Sequence, residues 1–418
     1  LDSQSRGVLS SACAVPPSGP PIEAERGVGA GRLRGMPTAF DVRALESRVR
    51  IELDDSLSAA DQESIKAHWV DLTHDGAGEP DLVVRAGLGD HSDSSHGSYS
   101  VRADSAEALA QRISSDVTIG AIGGLRGEAL MLHASAVALD DGRVIGFVGP
   151  SGRGKTTASQ TLGRIYGYVT DETLAVRADG SVITYPKPLS IGSWPGVKVT
   201  EPASTLGLRA APADGLRLAA IVLLDRRPDI EQPFVESVPI IEALSELIPQ
   251  TSYLSALERP LRTLLEAILS TGGVRRVVYS EAASLPPLID GVLREIDDDA
   301  PVLTDVARMS ERECDCFSGA AERRSDPSLA ERPGAFWRAT YIDALIVDDS
   351  LIVLVSGSAV VLAGVGPTLW LAADGLTEAE FQEIALRELP DPPSGIDAAV
   401  VISDAVQSMV EKRILVRT

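Results

Sequence analysis

The run Gly149-Pro150-Ser151-Gly152-Arg153-Gly154-Lys155-Thr156, followed by Thr157, fits the full pattern of a phosphate-binding loop. Its context agrees. Val144 to Val148 is an apolar, strand-sized run that leads straight into it, and a helical pattern follows from Lys155 to about Ile165. Glycines let the backbone turn successive N–H groups inward onto phosphate oxygens, and the helix N-terminus adds a field that favours anions. Lys155 is expected to reach the β- and γ-phosphates, and the Thr156 hydroxyl to ligate magnesium. The expected ligands are therefore ATP and Mg2+, in a central α/β domain.

Working outward, Met131 to Leu139 reads as a strand and Asp140-Asp141-Gly142 as the turn of a hairpin into Val144 to Val148. After the helix, Tyr168 to Thr170 is a strand ending at Asp171-Glu172. Asp179-Gly180 is a second hairpin turn, between Leu174 to Val176 and Val182 to Tyr185. Leu218 to Leu224 reads as a buried strand, from its nearly unbroken apolar run. Helical patterns follow at Ile240 to Leu247 and Leu261 to Leu269.

Strand ends in such sheets face the nucleotide, which makes Asp171 and Glu172 candidates. A carboxylate there could ligate magnesium or accept a proton from an attacking hydroxyl. Successive side chains on an extended chain point opposite ways, so one of the two is expected to face the phosphates. The bland alternative is a solvated strand end. His133 is the one histidine inside an apolar strand, and taken alone it reads as a satisfied core histidine rather than a functional one.

Leu132-His133-Ala134, the loop Pro150 to Thr156, and Val169-Thr170-Asp171-Glu172 resemble, in order and spacing, the catalytic core of the HPr kinase family. The resemblance implies an HPr kinase/PEP carboxykinase-like P-loop core with Asp171 as general base and His133 supporting it; Glu172, at the strand end, is the expected metal ligand beside Thr156. It covers the central domain only. The second acid is Glu where the bacterial regulators carry Asp, and the Glu-Ile-Arg-Gly-Leu-Gly signature is absent; the nearest stretch is Val199-Thr200-Glu201-Pro202. HPr itself is thus not the expected substrate. Tyr185-Pro186-Lys187-Pro188-Leu189-Ser190 resembles the variant branch found beside lasso-peptide biosynthesis genes, whose members phosphorylate a precursor peptide.

On either side of the core the signals differ. Residues 1–35 are rich in Pro, Gly and Ser without periodicity and read as a disordered extension, with Met36 a candidate start. Residues 36–120 read as a small α/β lead-in, with short strands at Val49 to Leu53, Leu82 to Val84 and Tyr99 to Val101. A helix from Ser105, its N-cap, runs to about Ile122. The P-loop domain spans 121–296, and a charged stretch, 297–334, reads as a linker. Residues 335–418 read as a separate small domain. It has a hairpin about Asp348-Asp349-Ser350, a third strand at Ala359 to Leu362, and a helix opened by Pro367 and ended by Gly375. A second helix starts from the capping box Thr377-Glu378-Ala379-Glu380, and a third has its apolar face on Ile402, Val406, Met409 and Val410. This order resembles the winged-helix, PqqD-like domains that recognise the leader segments of ribosomally made peptides.

Composition narrows the partners. The chain carries 38 Lys and Arg against 60 Asp and Glu, a net charge of −22, which argues against nucleic acid. The three cysteines, Cys13, Cys314 and Cys316, form no framework and fit a reducing, cytoplasmic setting. Leu351 to Ala373 has no charged residue, but glycines and β-branched residues break it into strand-sized pieces, so no membrane span is expected. The expectation is a kinase that phosphorylates a hydroxyl, a serine in the first instance, of a precursor peptide, acting beside other maturation enzymes. A small-molecule kinase and a non-catalytic nucleotide switch that recruits the peptide stay open as alternatives.

Overall fold

The computed structural model describes residues 37–76, 78–89, 93–95, 98–150, 152–192, 199–294, 301–306, 332–390, 392 and 395–418. The extension 1–35, Met36, Ser151, the three cysteines and most of the expected linker lie outside them. The chain is a mixed α/β protein with several sheets.

The first unit is a sheet covered by one long helix. Strands β1 (Thr38–Ala44) and β2 (Ser47–Leu53) form an antiparallel hairpin. Helix α1 (Ala59–Ala67) leads to β3 (Leu82–Leu88), β4 (Asp93–Ser95) and β5 (Ser98–Ala103), giving the order β1-β2-β3-β5-β4. Helix α2 (Ala106–Gly124) starts where Ser105 accepts a hydrogen bond from the Ala108 N–H, as a side-chain cap should. Its apolar face buries Leu109, Ile113 and Val117 against the sheet.

The second unit is built on β6 (Leu130–Ala138) and β7 (Arg143–Val148), which pair antiparallel. The P-loop and α3 (Lys155–Gly163) follow, then β8 (Gly167–Thr170), β9 (Thr173–Val176), β10 (Val182–Ile183), β11 (Leu189–Ile191), β12 (Val199–Glu201) and β13 (Arg209–Ala210). Strand β14 (Arg217–Arg226) runs parallel to β7, and after β15 (Phe234–Val238), α4 (Ile240–Leu247), β16 (Thr251–Ser252) and α5 (Pro260–Ser270) comes β17 (Val274–Tyr279), parallel to β14. The main order is β10-β9-β6-β7-β14-β17-β15. A short helix α6 (Ile289–Val292) closes the unit.

The third unit departs from the expected separate domain on a linker. Leu303–Asp305, inside the stretch read as linker, is a strand, β18. After β19 (Phe336–Arg338) it pairs with β20 (Asp343–Val347), and β21 (Ser350–Val355) and β22 (Ser358–Leu362) complete a four-stranded sheet in the order β18-β20-β21-β22. Helix α7 (Gly366–Ala372), β23 (Asp374–Leu376), α8 (Glu378–Glu388), α9 (Ala398–Glu411) and β24 (Leu415–Arg417) follow. The capping box at Thr377 and Glu380 forms on both sides.

Alternation along β20 and β21 explains the docking. Leu345, Val347, Ile352 and Leu354 join the core of the P-loop unit, among Leu261, Leu264 and Leu265 of α5. Ala344, Leu351 and Val353 face the other way, onto Leu369, Trp370 and Met409. A sheet buried on both faces needs continuous apolar strands, which is why Leu351 to Val355 lacks any polar alternation. Among the described residues, no helix is long and apolar enough to cross a membrane.

One polar contact locks the docking. Helix α5 starts without a side-chain cap of its own. Asp343 supplies one from β20: its Oδ2 accepts from the buried Leu261 N–H at 3.0 Å, while Oδ1 accepts from the Ala344 N–H at 3.0 Å. Asp343→Ala strands the Leu261 donor in an apolar interface, at a cost of about 1–3 kcal/mol. A lowered urea midpoint with an unchanged m-value is expected; an unshifted midpoint would show that the two units do not depend on this contact.

Candidate functional site

The parallel strands β7, β14 and β17 end on one side of the sheet, and the loop after Val148 turns there. Gly152 and Gly154 adopt φ of 83° and 92°, where a side chain is strained. At Gly154 a Cβ would also lie 3.0 Å from the Tyr279 hydroxyl. That hydroxyl donates to the Arg153 carbonyl at 3.2 Å and so pins the loop to the end of β17. Arg153 also approaches Asp225, at the end of β14, at 3.9 Å.

Lys155 is buried, and its Nζ donates to the carbonyls of Gly149 at 2.6 Å and Pro150 at 3.4 Å. Burial holds its pKa below the ordinary lysine value, against the pull of Glu172 and Asp171. Thr156 follows on the first turn of α3, and its Oγ1 donates to Asp171 Oδ2 at 3.4 Å. Lys155, Thr156, Thr157, His133, Asp171 and Glu172 all line one cavity of about 700 Å³. Gly152 and Gly154 line it as well, whereas Gly149, Pro150 and Arg153 do not and meet the site through the loop backbone.

The acid pair is not arranged as an extended strand would place it. Strand β8 stops at Thr170, and the Thr170 hydroxyl accepts from the N–H of Glu172 at 3.2 Å and of Thr173 at 3.3 Å. This bend turns both carboxylates to the cavity, a correction to the expectation that one of them would face it. Asp171 is 5% exposed in its side chain and Glu172 41%. The hydroxyl of Tyr168 donates to Asp171 Oδ1 at 3.2 Å. Burial first, then the neighbouring Asp171, keeps that phenol protonated well above its ordinary pKa.

His133 faces the same cavity from β6. Its Nδ1 donates to the Glu172 carbonyl at 3.1 Å, which fixes the tautomer and leaves Nε2 as an acceptor. The carbonyl also accepts the Ala134 N–H at 3.1 Å. His133 is therefore tied to the backbone of the acid pair rather than to a carboxylate.

Sequence reasoning missed two contributors. Lys187 is 3% exposed, and its Nζ lies 3.2 Å from Asp171 Oδ1 and 2.9 Å from Glu172 Oε2. Burial would lower its pKa, but the two carboxylates outweigh this and hold it above the ordinary lysine value. For Glu172 burial would raise the pKa, and Lys187, His133 and Lys155 outweigh it downward. The second contributor is α2, whose Gln111, Ser114 and Ser115 line the same cavity. Spacing of i, i+3 and i+4 marks these three as one polar face, a signal present in the sequence once α2 is known to border the cavity.

The donor set suits a magnesium ion. Thr156 and the two acids offer hard oxygens only, and magnesium at a nucleotide is held by one or two carboxylates with phosphates and water supplying the rest.

No protein-family model matches the chain, and no curated protein sequence matches it. Among solved structures it is similar to the Hpr(Ser) kinase/phosphatase from Coxiella burnetii, at 15% identity and a TM-score of 0.23, over 39% of this chain and 93% of that one.

The histidines give a pH prediction. Burial, with Lys155 adding to it, holds the pKa of His133 below the ordinary value, and burial does the same for His68. The folded state then favours the neutral rings, whereas the unfolded chain takes up protons as pH falls through about 6.5. Stability present at neutral pH should fall on acidification from there. His133→Gln should flatten the fall in urea midpoint between pH 7 and 5.5; an unchanged slope would show that its ring titrates alike in both states.

Proposed function

We propose that this chain is an ATP-dependent, HPr kinase-like phosphotransferase. The observation that carries the reading is the single cavity in which Lys155 and Thr156 of the P-loop meet a buried carboxylate, Asp171, at 3.4 Å from the Thr156 hydroxyl. Lys155, Thr156, Thr157 and the N–H groups of the loop from Gly149 to Gly154, Pro150 having none, hold the triphosphate. Thr156 and Glu172 hold magnesium, which when bound neutralises charge on the phosphates. Asp171 takes the proton of the attacking hydroxyl, and His133 steadies the acid pair through the Glu172 carbonyl. Phosphoryl transfer asks for positioning and charge stabilisation above all, and these groups provide both.

Glu172 is the rival base, because its carboxylate is the more exposed of the two and so the easier for an acceptor to reach. Lys155→Ala should abolish magnesium-dependent binding of ATP while the fold is kept. Asp171→Asn should bind ATP but transfer phosphate to hydroxyl peptides about 10²–10⁴-fold more slowly. Label from γ-labelled ATP would read this. An active Asp171→Asn beside a dead Glu172→Gln would move the base to Glu172. A wild type that binds ATP and labels no hydroxyl at all would favour the nucleotide switch.

The acceptor class proposed is a serine-containing precursor peptide whose leader is held by the C-terminal unit, with a small-molecule hydroxyl as the alternative. Support comes from β22, which pairs with β21 and has no strand on its other side among the described residues. An extended peptide can add to such an edge. Ile402, Val406 and Met409 are core residues. The apolar surface left for a leader lies beside them, in a cavity of about 360 Å³ between α8 and α9 lined by Val365, Leu386, Leu389, Ile396 and Val401.

A further inference from the structure

We infer that Lys187 is a positioning residue that holds Asp171 and Glu172 side by side on the nucleotide face of the site; this rests on the phosphotransferase reading above. Its ammonium has three N–H donors. One of them bonds to the Pro188 carbonyl at 3.3 Å, and the charge sits at ion-pair distance from Asp171 Oδ1, 3.2 Å, and Glu172 Oε2, 2.9 Å. With its charge already paired to two carboxylates and its side chain buried, Lys187 does not serve as a second phosphate ligand. Lys155 is the contrasting case, since its amine rests on loop carbonyls beside the cavity.

The bend at Asp171-Glu172 needs such a cation. It puts two carboxylates of successive residues on one side of the chain, where they repel each other. A buried ammonium between them turns repulsion into two attractions, little screened by water at the buried Asp171 and more so at the part-exposed Glu172. Lys155 alone does not do this, because its amine lies on the Gly149 and Pro150 carbonyls.

The chain is built to hold Lys187 there. Pro186 and Pro188 flank it and restrict the backbone on both sides. The Lys187 N–H donates to the Tyr185 carbonyl at 2.8 Å, and the Tyr185 N–H to the Val169 carbonyl of β8 at 3.0 Å. The fully buried Tyr185 hydroxyl shares a hydrogen bond of 2.8 Å with Thr118 Oγ1 of α2. The position of the acid pair is thus referred to β8 and to the N-terminal unit at once.

The test compares Lys187→Met, Lys187→Arg and the double variant Lys187→Met with Glu172→Gln, in the full chain. Two readouts are used: binding of a fluorescent N-methylanthraniloyl ATP across a magnesium titration, and thermal unfolding without nucleotide. Lys187→Met should raise the magnesium concentration for half-maximal binding by about 10–100-fold, the scale seen when a group that orients metal ligands is lost. Lys187→Arg should recover most of that loss, and the double variant should melt above Lys187→Met because one of the two unneutralised acids is gone. A Lys187→Met protein with wild-type magnesium dependence would overturn the inference. So would a double variant that melts no higher than Lys187→Met, and this arm decides the matter if Lys187→Met folds too poorly to titrate. Failure of the wild type to bind the analogue would instead overturn the nucleotide reading and leave the melting comparison to judge Lys187.

Discussion

The backbone amides beyond Val148 have no strand partner, because β7 ends there between β6 and β14 and the chain must turn into a helix. Anions are the natural partners for such amides. Much of the site can be read as the fold's response to that place. The positive φ of Gly152 and Gly154 opens the loop, and Tyr279 from β17 braces it from behind. The acid pair arrives from β8, on the far side of β6, and α2 of the N-terminal unit walls the opening. A cation-rich loop alone would bind phosphate. A loop that meets two carboxylates with their own buried counter-charge can bind phosphate and also receive a proton.

How much of this was legible depends on how local each signal is. The P-loop was plain because its glycines, lysine and threonine act within eight residues and between two elements of opposite periodicity. The caps at Ser105 and Thr377 were legible for the same reason. Strand β17 was not. Arg275 and Arg276 interrupt its apolar run, and only the fold shows where the charges go. Arg275 donates to the carbonyls of Thr271, Gly272 and Gly273, and Arg276 pairs with Glu236, Glu242 and Glu246. Lys187 stood in a stretch noted only for its resemblance, and its link to the acids was not legible because they lie 15 and 16 positions away and meet it only once residues 185–188 return to β8.

The same reasoning explains why 335–418 looked like an independent domain. Its strands carry the apolar content of a self-contained small sheet, and the charged stretch before it resembles a tether. In the fold that content serves two cores. One face of β20 and β21 packs with α7 and α9, the other with α5, and β18 ties part of the supposed tether into the sheet. Sequence pattern distinguishes a strand buried on both faces from one buried on a single face, but it does not say which neighbour supplies the second face.

Fixed docking changes what a bound peptide would gain. A domain on a flexible tether raises the local concentration of whatever it carries, with little control over direction. Here β22 is part of a sheet whose other face is shared with the core of the P-loop unit, and Asp343 ties β20 to the first turn of α5. An edge held in that way sets a distance as well as a concentration. A leader bound along β22 could deliver to the acid pair only residues beyond a spacer of a certain length, so the choice of hydroxyl would be made by position along the peptide. Selectivity of that kind would ask little of the P-loop cavity itself. It is consistent with a lining that includes Gln111, Ser114 and Ser115, neutral polar groups whose donors and acceptors do not select one side chain among many.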